Sequence, residues 1–336
     1  MSSWNIAVVG ATGQVGKAFI ELLAQSTINI DNIYLLASDN SEGETVRIFE
    51  KNITIQTVDN MDWVLCHLAF FVADSQVTQK YAHIAAESGT VVIDATGYYS
   101  QQPNIPLIVP KINDSVLDDY RNENIVAMAN PIVCQALRSI AALTDVYQIN
   151  QLHITNLASA SFYGKQGVNE LAGQSARLLN GLPAESEHFE KQIAFNLLPA
   201  TKQGANIEKS VIEQIQRILG DYQLAISLDN IIVPVFYGMT QTVSFMPSNP
   251  IDIELNLNPA SFEHFSIEFN PTDYPTPVTQ VNIEQNEALS IHMANLRYSI
   301  GNQNQIQFTS VSDNVRFLGA RLLIEIAGNL LNKNCE

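Results

Sequence analysis

Basic residues are scarce in this chain. It carries 17 Lys and Arg against 34 Asp and Glu, a formal net charge of -17. A surface of that sign repels phosphate backbones and anionic lipids, which argues against nucleic-acid and membrane-surface partners. Cysteine is scarce as well: Cys66, Cys134 and Cys335 are scattered and show no metal-ligand spacing. An odd, sparse set argues against a disulfide framework and a metal centre and fits a reduced, cytoplasmic interior. No apolar run approaches the ~20 residues of a membrane span. Met1–Gly10 lacks the basic start of a secretory leader, and polar Thr12, Gln14 and Lys17 soon follow. Internal repeats and low-complexity tracts are absent too. What is plentiful is apolar side chain, 46% of 336 residues against 15% charged. That balance requires a large buried core, and the length favours two domains over one.

Short apolar runs ordered with helical patterns dominate the first part. Trp4–Val9, Ile33–Ala37, Trp63–Phe71 and Thr90–Ile93 read as strands, with helices at Val15–Gln25 and Gln76–Ser88. Strand–helix alternation of this kind predicts a doubly wound parallel sheet. The texture then changes. Helices are expected at Ile132–Leu143, Asn169–Leu179 and Lys209–Leu219, and a strand at Gln151–Ser159. Further short strands are expected at Asn230–Tyr237, Thr240–Phe245, Asp252–Leu257 and Val278–Glu284. Strands grouped after helices predict an α+β domain with a mixed or antiparallel sheet. A long apolar-striped helix, Asn314–Leu331, closes the chain, and the turn-rich loop Asn270–Pro277 is expected to be exposed.

The first strand runs into Gly10-Ala-Thr-Gly13-Gln-Val-Gly16, at the start of a helix. Glycines in such a turn let backbone N–H groups approach a pyrophosphate at the helix N-terminus. Gly10, Thr12, Gly13, Gln14, Val15 and Gly16 are therefore the expected cofactor-facing positions, although a turn kept for packing alone would look the same. Ser38 and Asp39 end the second strand, where a carboxylate accepts the ribose hydroxyls of NAD and repels the extra phosphate of NADP. Asn40 and Ser41 follow and no arginine stands there, so NAD is favoured over NADP; a solvated turn is the other reading of Asp39.

The glycine loop does not stand alone. Ile-Pro-Leu-Ile-Val-Pro-Lys-Ile-Asn at 105–113, Gly-Lys-Gln-Gly-Val-Asn-Glu-Leu at 164–171 and Ile-Ala-Phe-Asn-Leu-Leu-Pro at 193–199 follow it in order. Val-Pro-Val-Phe-Tyr-Gly at 233–238 and Ser-Asp-Asn-Val-Arg-Phe-Leu-Gly-Ala at 312–320 complete the series. Together these segments resemble the aspartate-semialdehyde dehydrogenase family across nearly the whole chain. The resemblance implies a Rossmann-type domain at 1–132 completed by 313–336, and a central dimerisation and substrate-type domain at 133–312. It also implies a homodimer and a reaction in which a cysteine thiolate adds to an aldehyde, hydride passes to NADP and phosphate cleaves the thioester. Such chemistry needs an activated thiol, a nearby imidazole and cations for the substrate's anionic groups.

At the positions the resemblance assigns to that chemistry, the residues differ. The nucleophile's place in Asn-Pro-x-Cys is Val133; Cys134 lies one residue later, turned by about 100° on a helix. The histidine's place after Gly238 is Met239, and the substrate arginine's place before Val233 is Ile232. Ser100 stands for the phosphate-binding arginine, Ala158 for a glutamine, Phe162 for a loop glycine and Asn40 for the arginine of the 2′-phosphate. Val72-Ala-Asp-Ser75 replaces a small-residue turn and brings Asp74 towards the cofactor region. Asn314 corresponds to a residue that faces the nicotinamide, with helix capping as its alternative role, and Glu208 and Lys209 fall near substrate-contacting positions. The six histidines, His67, His83, His153, His188, His264 and His292, all miss the catalytic position.

This pattern, with Ala-Phe-Phe-Val-Ala at 69–73 and Leu-Ala-Gly-Gln-Ser-Ala-Arg-Leu-Leu-Asn-Gly at 171–181, is similar to the Usg-type paralogues of the dehydrogenase. The resulting expectation is a family member inactive in the family reaction, with a dinucleotide pocket that is retained or lost. Two alternatives stand beside it: an oxidoreductase that uses Cys134, and a dimeric scaffold that pairs with the true enzyme.

Overall fold

The fold was analysed in a computed structural model. The structure describes residues 3–199, 201–253, 257–272, 274–280 and 289–333. Cys335 and much of the strand expected at Val278–Glu284 lie outside them, as does the middle of the one expected at Asp252–Leu257. The chain forms two compact units, Met1–Asn130 with Gly319–Glu336, and Pro131–Leu318.

Among the described residues the first unit is built on nine strands: β1 (Trp4–Val9), β2 (Ile30–Ala37), β3 (Thr45–Ile48), β4 (Lys51–Thr54), β5 (Gln56–Thr57), β6 (Leu68–Phe71), β7 (Val91–Asp94), β8 (Leu107–Ile108) and β9 (Ile125–Met128). Seven of them form one sheet in the order β5-β2-β1-β6-β7-β9-β8. Every pairing within it is parallel. Buried on both faces, these strands carry uninterrupted apolar residues: Ile6–Val9, Leu68–Phe71 and Ile125–Met128 are all buried. β3 and β4 form a separate antiparallel hairpin. Helices α1 (Gln14–Ala24) and α2 (Ser75–Glu87) follow β1 and β6. The winding reverses between those two strands, so the loops after β1 and β6 flank the crevice at the carboxyl edge where open α/β sheets bind ligands.

Two expectations change here. Trp63–Phe71 is not one strand: a turn of 3₁₀-helix spans Trp63–Leu65, with Asp62 accepting from Val64 N, and the strand begins at Leu68. His67 is thereby outside the strand. Its Nδ1 accepts from Asn5 N at 2.9 Å. The closing helix opens as a π-helical turn over Arg316–Arg321 before the α-helix Leu322–Lys333.

The second unit holds a six-stranded mixed sheet of β10 (Ile149–Ala158), β11 (Ala225–Ile232), β12 (Met239–Pro247), β13 (Ile267–Phe269), β14 (Ile291–Ser299) and β15 (Asn302–Ser312). Their order is β11-β10-β12-β15-β14-β13. The β10–β11 and β13–β14 pairs are parallel and the rest antiparallel. Helices α3 (Pro131–Ala141), α4 (Gly164–Leu179) and α5 (Lys202–Leu219) belong to this unit. The strand expected at Asn230–Tyr237 begins earlier and stops at Ile232. Pro234 has no N–H to continue it, and the Val235 and Phe236 carbonyls instead accept from Ala160 N and Ser161 N. Val278 lies in a helical turn, Pro277–Gln280, opened by a proline suited to that place. Fold class is as expected: a Rossmann-like parallel-sheet unit and a unit with a mixed sheet.

Candidate functional site

In the first unit the glycine loop leaves β1 and enters α1. Gly10 N and Ala11 N both donate to Leu36 O, at 2.9 and 3.1 Å, tying the loop to the end of β2. The three glycines differ in what they are for. Gly10 has φ +96°, and a Cβ there would meet Ala73 N at 2.8 Å. A Cβ on Gly16 would stand 2.1 Å from Gly10 O. Both are demanded by the chain's own packing. A Cβ on Gly13 would meet Gly10 O at 3.2 Å, which asks only a small shift. Gly13 caps α1 with no side chain to accept from the first N–H groups, and no acidic residue lies in the first turn. Thr12, Gln14 and Val15 are partly exposed beside it. Such a terminus suits an anion.

Ser38 and Asp39 are exposed immediately after β2, where Ser38 O accepts from Ser41 N at 2.9 Å. Asp74 is exposed at the start of α2 and holds it through its carbonyl, which accepts from Val77 N at 2.9 Å. Ser100 is buried, its hydroxyl donating to Gly97 O at 2.7 Å.

In the second unit α3 carries Val133 and Cys134, both with no exposed surface. Two buried glutamines fix the opening of this helix to the sheet. Gln241 Nε2, from β12, donates to Ile132 O at 3.0 Å. Gln135 Nε2 donates to Ser310 O and Ser310 Oγ at 3.1 and 2.9 Å. The Cys134 thiol is thus an interior group. Cys66 is interior too: it donates to Leu68 O at 3.2 Å, and burial pushes its pKa up to about 12.

Met239 begins β12, opposite Ala158 on one side and Ser312 on the other, and is fully buried. Ile232, at the end of β11, is buried as well. Asn314 sits at the centre of a polar knot. Its Oδ1 accepts from Gly238 N at 2.9 Å and from Ser161 Oγ at 3.0 Å, with Ser159 Oγ at 3.5 Å. Helix capping belongs to its neighbour instead: Asp313 Oδ1 accepts from Val315 N and Arg316 N, each at 2.8 Å. Burial raises the Asp313 carboxyl above its usual range. Glu208 accepts from Asn230 N at 2.9 Å, whereas Lys209 is exposed, 3.8 Å from Glu213. Two of the histidines have local partners: His153 Nδ1 lies 2.7 Å from Ser227 Oγ, and His292 Nδ1 3.5 Å from Glu268.

Sequence reasoning missed the two glutamines, whose polar side chains disguise inward-facing positions. It missed Lys17, Arg47 and Phe49 as well, which line one groove beside α1 although they are distant in sequence. Among the described residues no cluster of three His, Cys, Asp or Glu is placed to hold a metal, and no helix is long and apolar enough to cross a membrane.

Residues 5–120 match the semialdehyde dehydrogenase NAD binding domain, and residues 140–317 the semialdehyde dehydrogenase dimerisation domain. The aspartate-semialdehyde dehydrogenase 2 of Vibrio cholerae is 35% identical over 329 residues, covering 96% of each chain. The USG-1 protein homolog of Pseudomonas aeruginosa is 31% identical over 336 residues, covering 98% of each. The crystal structure of aspartate semialdehyde dehydrogenase II from Vibrio cholerae complexed with ASA superposes with a TM-score of 0.91 at 35% identity, covering 99% of each chain. With both domains matched in order and relatives aligned almost end to end, the chain belongs to the semialdehyde dehydrogenase family.

Proposed function

We propose that the chain is a homodimeric, dinucleotide-binding member of this family that does not carry out phosphorylating aldehyde oxidation, in the manner of the Usg-type paralogues. The observation that carries the reading is the pair Val133 and Met239. The resemblance assigns them the places of the thiol and of the acid–base group; both are fully buried, and neither has an atom that can attack a carbonyl or carry a proton. Removing one such group typically lowers turnover by about 10⁴-fold or more. Full burial of Cys134 tells against that thiol as a replacement.

The residues present fit a dinucleotide. The α1 terminus at Gly13 suits a pyrophosphate, with Gly10, Thr12, Gln14, Val15 and Gly16 around it. Ser38 and Asp39 follow β2 at the same edge of the sheet, and a carboxylate there favours the ribose of NAD over the phosphate of NADP. A bound nicotinamide supplies a hydride acceptor; this chain's own residues bind and orient it. Asn314, which the resemblance assigns to the nicotinamide, has its oxygen engaged by Gly238, Ser161 and Ser159. The dimerisation-domain match supports self-association, and the sparse cysteines support a cytoplasmic setting.

The test is an assay of the purified chain with aspartate semialdehyde, phosphate and NADP, followed by nicotinamide absorbance. No phosphate-dependent reduction is expected, and clear turnover overturns the reading. A thermal-shift titration tests the cofactor part. NAD should raise the melting temperature at lower concentration than NADP, and the reverse order would remove the assigned preference.

A further inference from the structure

The hairpin of β3 and β4 turns in an unusual way. Ile48 pairs with Lys51, so Phe49 and Glu50 alone make the turn. Their φ values are +49° and +62°. Two consecutive left-handed residues define the turn type that asks for Asn-Gly, and a bulky side chain there is strained. A ring held in this way points to a use for it. Phe49 is 45% exposed and lines a groove of about 330 Å³ beside α1. Ile20, Val46 and Ile48 give the groove apolar walls, and Ala11 of the glycine loop reaches its edge.

Lys17 and Arg47 line the same groove. Among the described residues neither has a carboxylate at ion-pair distance. Two cations kept together at an apolar groove, with Glu21 the one acid among its lining residues, select an anion. The volume lies at the small end for a ligand pocket, enough for one ring system and one charged group. An aromatic face suits a flat base, and a guanidinium or ammonium suits a phosphate.

We propose that this groove is a mononucleotide site separate from the crevice at the carboxyl edge of the sheet: the base stacks on Phe49, and the phosphate is held by Lys17 and Arg47. The occupant is a nucleoside monophosphate rather than a dinucleotide. The proposal does not depend on NAD binding at the glycine loop.

Calorimetric titration of the full chain with AMP tests it, with adenosine and inorganic phosphate as separate probes. AMP should bind saturably and more tightly than either part. Phe49→Asn with Glu50→Gly supplies the residues the turn prefers, so that variant should melt at a higher temperature yet bind AMP at least about fivefold more weakly. Arg47→Glu should weaken AMP similarly and leave the melting temperature nearly unchanged. Saturating NAD should leave AMP binding in place. No saturable AMP binding up to about 5 mM overturns the site, as do unchanged binding in the turn variant and displacement of AMP by NAD. Failure of NAD to bind, by contrast, would bear only on the dinucleotide reading.

Discussion

At the scale of single residues, the three glycines of one loop carry separable demands. A methyl group on Gly16 would be driven to 2.1 Å from Gly10 O, a backbone atom with little freedom to yield. Gly16→Ala should therefore destabilise the fold by about 1–3 kcal/mol or more, read as a lowered denaturant midpoint. On Gly13 the same methyl meets that oxygen at 3.2 Å and projects beside the open N-terminus of α1. Gly13→Ala should keep a near-native midpoint and weaken NAD, measured by calorimetry. Equal losses of stability in both variants would mean that the whole loop is kept for packing. Equal NAD affinity in the wild type and Gly13→Ala would remove the loop from the binding site. Val133 and Met239 obey a different logic: each is fully buried and apolar, a sound core residue where it stands.

At the scale of elements, α3 shows how polar groups set the second unit. Gln241 donates to Ile132 O and to Asn156 Oδ1, the latter at 3.3 Å, and Asn156 Nδ2 donates onward to Asn230 Oδ1 at 2.7 Å. Gln241→Leu leaves the Ile132 carbonyl without that donor in the interior. The expected cost is about 1–3 kcal/mol, read by chemical denaturation, with no loss of NAD affinity. A neutral outcome would mean that α3 is held by its apolar face alone. The same buried polar chain explains what could be read from the sequence. β1, and β6 apart from its start, were legible because strands covered on both faces must be apolar throughout; β9, equally buried and apolar, was not among the expected strands. β14 and β15 were not, because β15 reads Asn-Gln-Asn-Gln-Ile-Gln-Phe-Thr-Ser-Val-Ser and sends serine inward at 310 and 312. The glycine loop was legible because it states backbone demands. The Asn314 knot was not, since it joins Ser161, Gly238 and Asn314 from three distant segments, and capping fell to Asp313 by a shift of one place.

At the scale of the whole molecule, charge decides how two copies can meet. Each chain carries a formal charge of -17, so the homodimer proposed above must form against a long-range repulsion. That repulsion reaches about 30 Å at 0.01 M salt and about 8 Å at 0.15 M. Contacts made on close approach are far less sensitive to salt, because apolar burial does not depend on screening. The dimer dissociation constant should therefore fall several-fold as sodium chloride rises from about 10 to 150 mM, measured by sedimentation equilibrium. The opposite slope would require complementary ion pairs across the interface strong enough to outweigh the net charge. A species that stays monomeric at every salt concentration would instead reject self-association itself. A falling constant is the result expected if a chain of formal charge -17 self-associates through its matched dimerisation domain once the charges are screened.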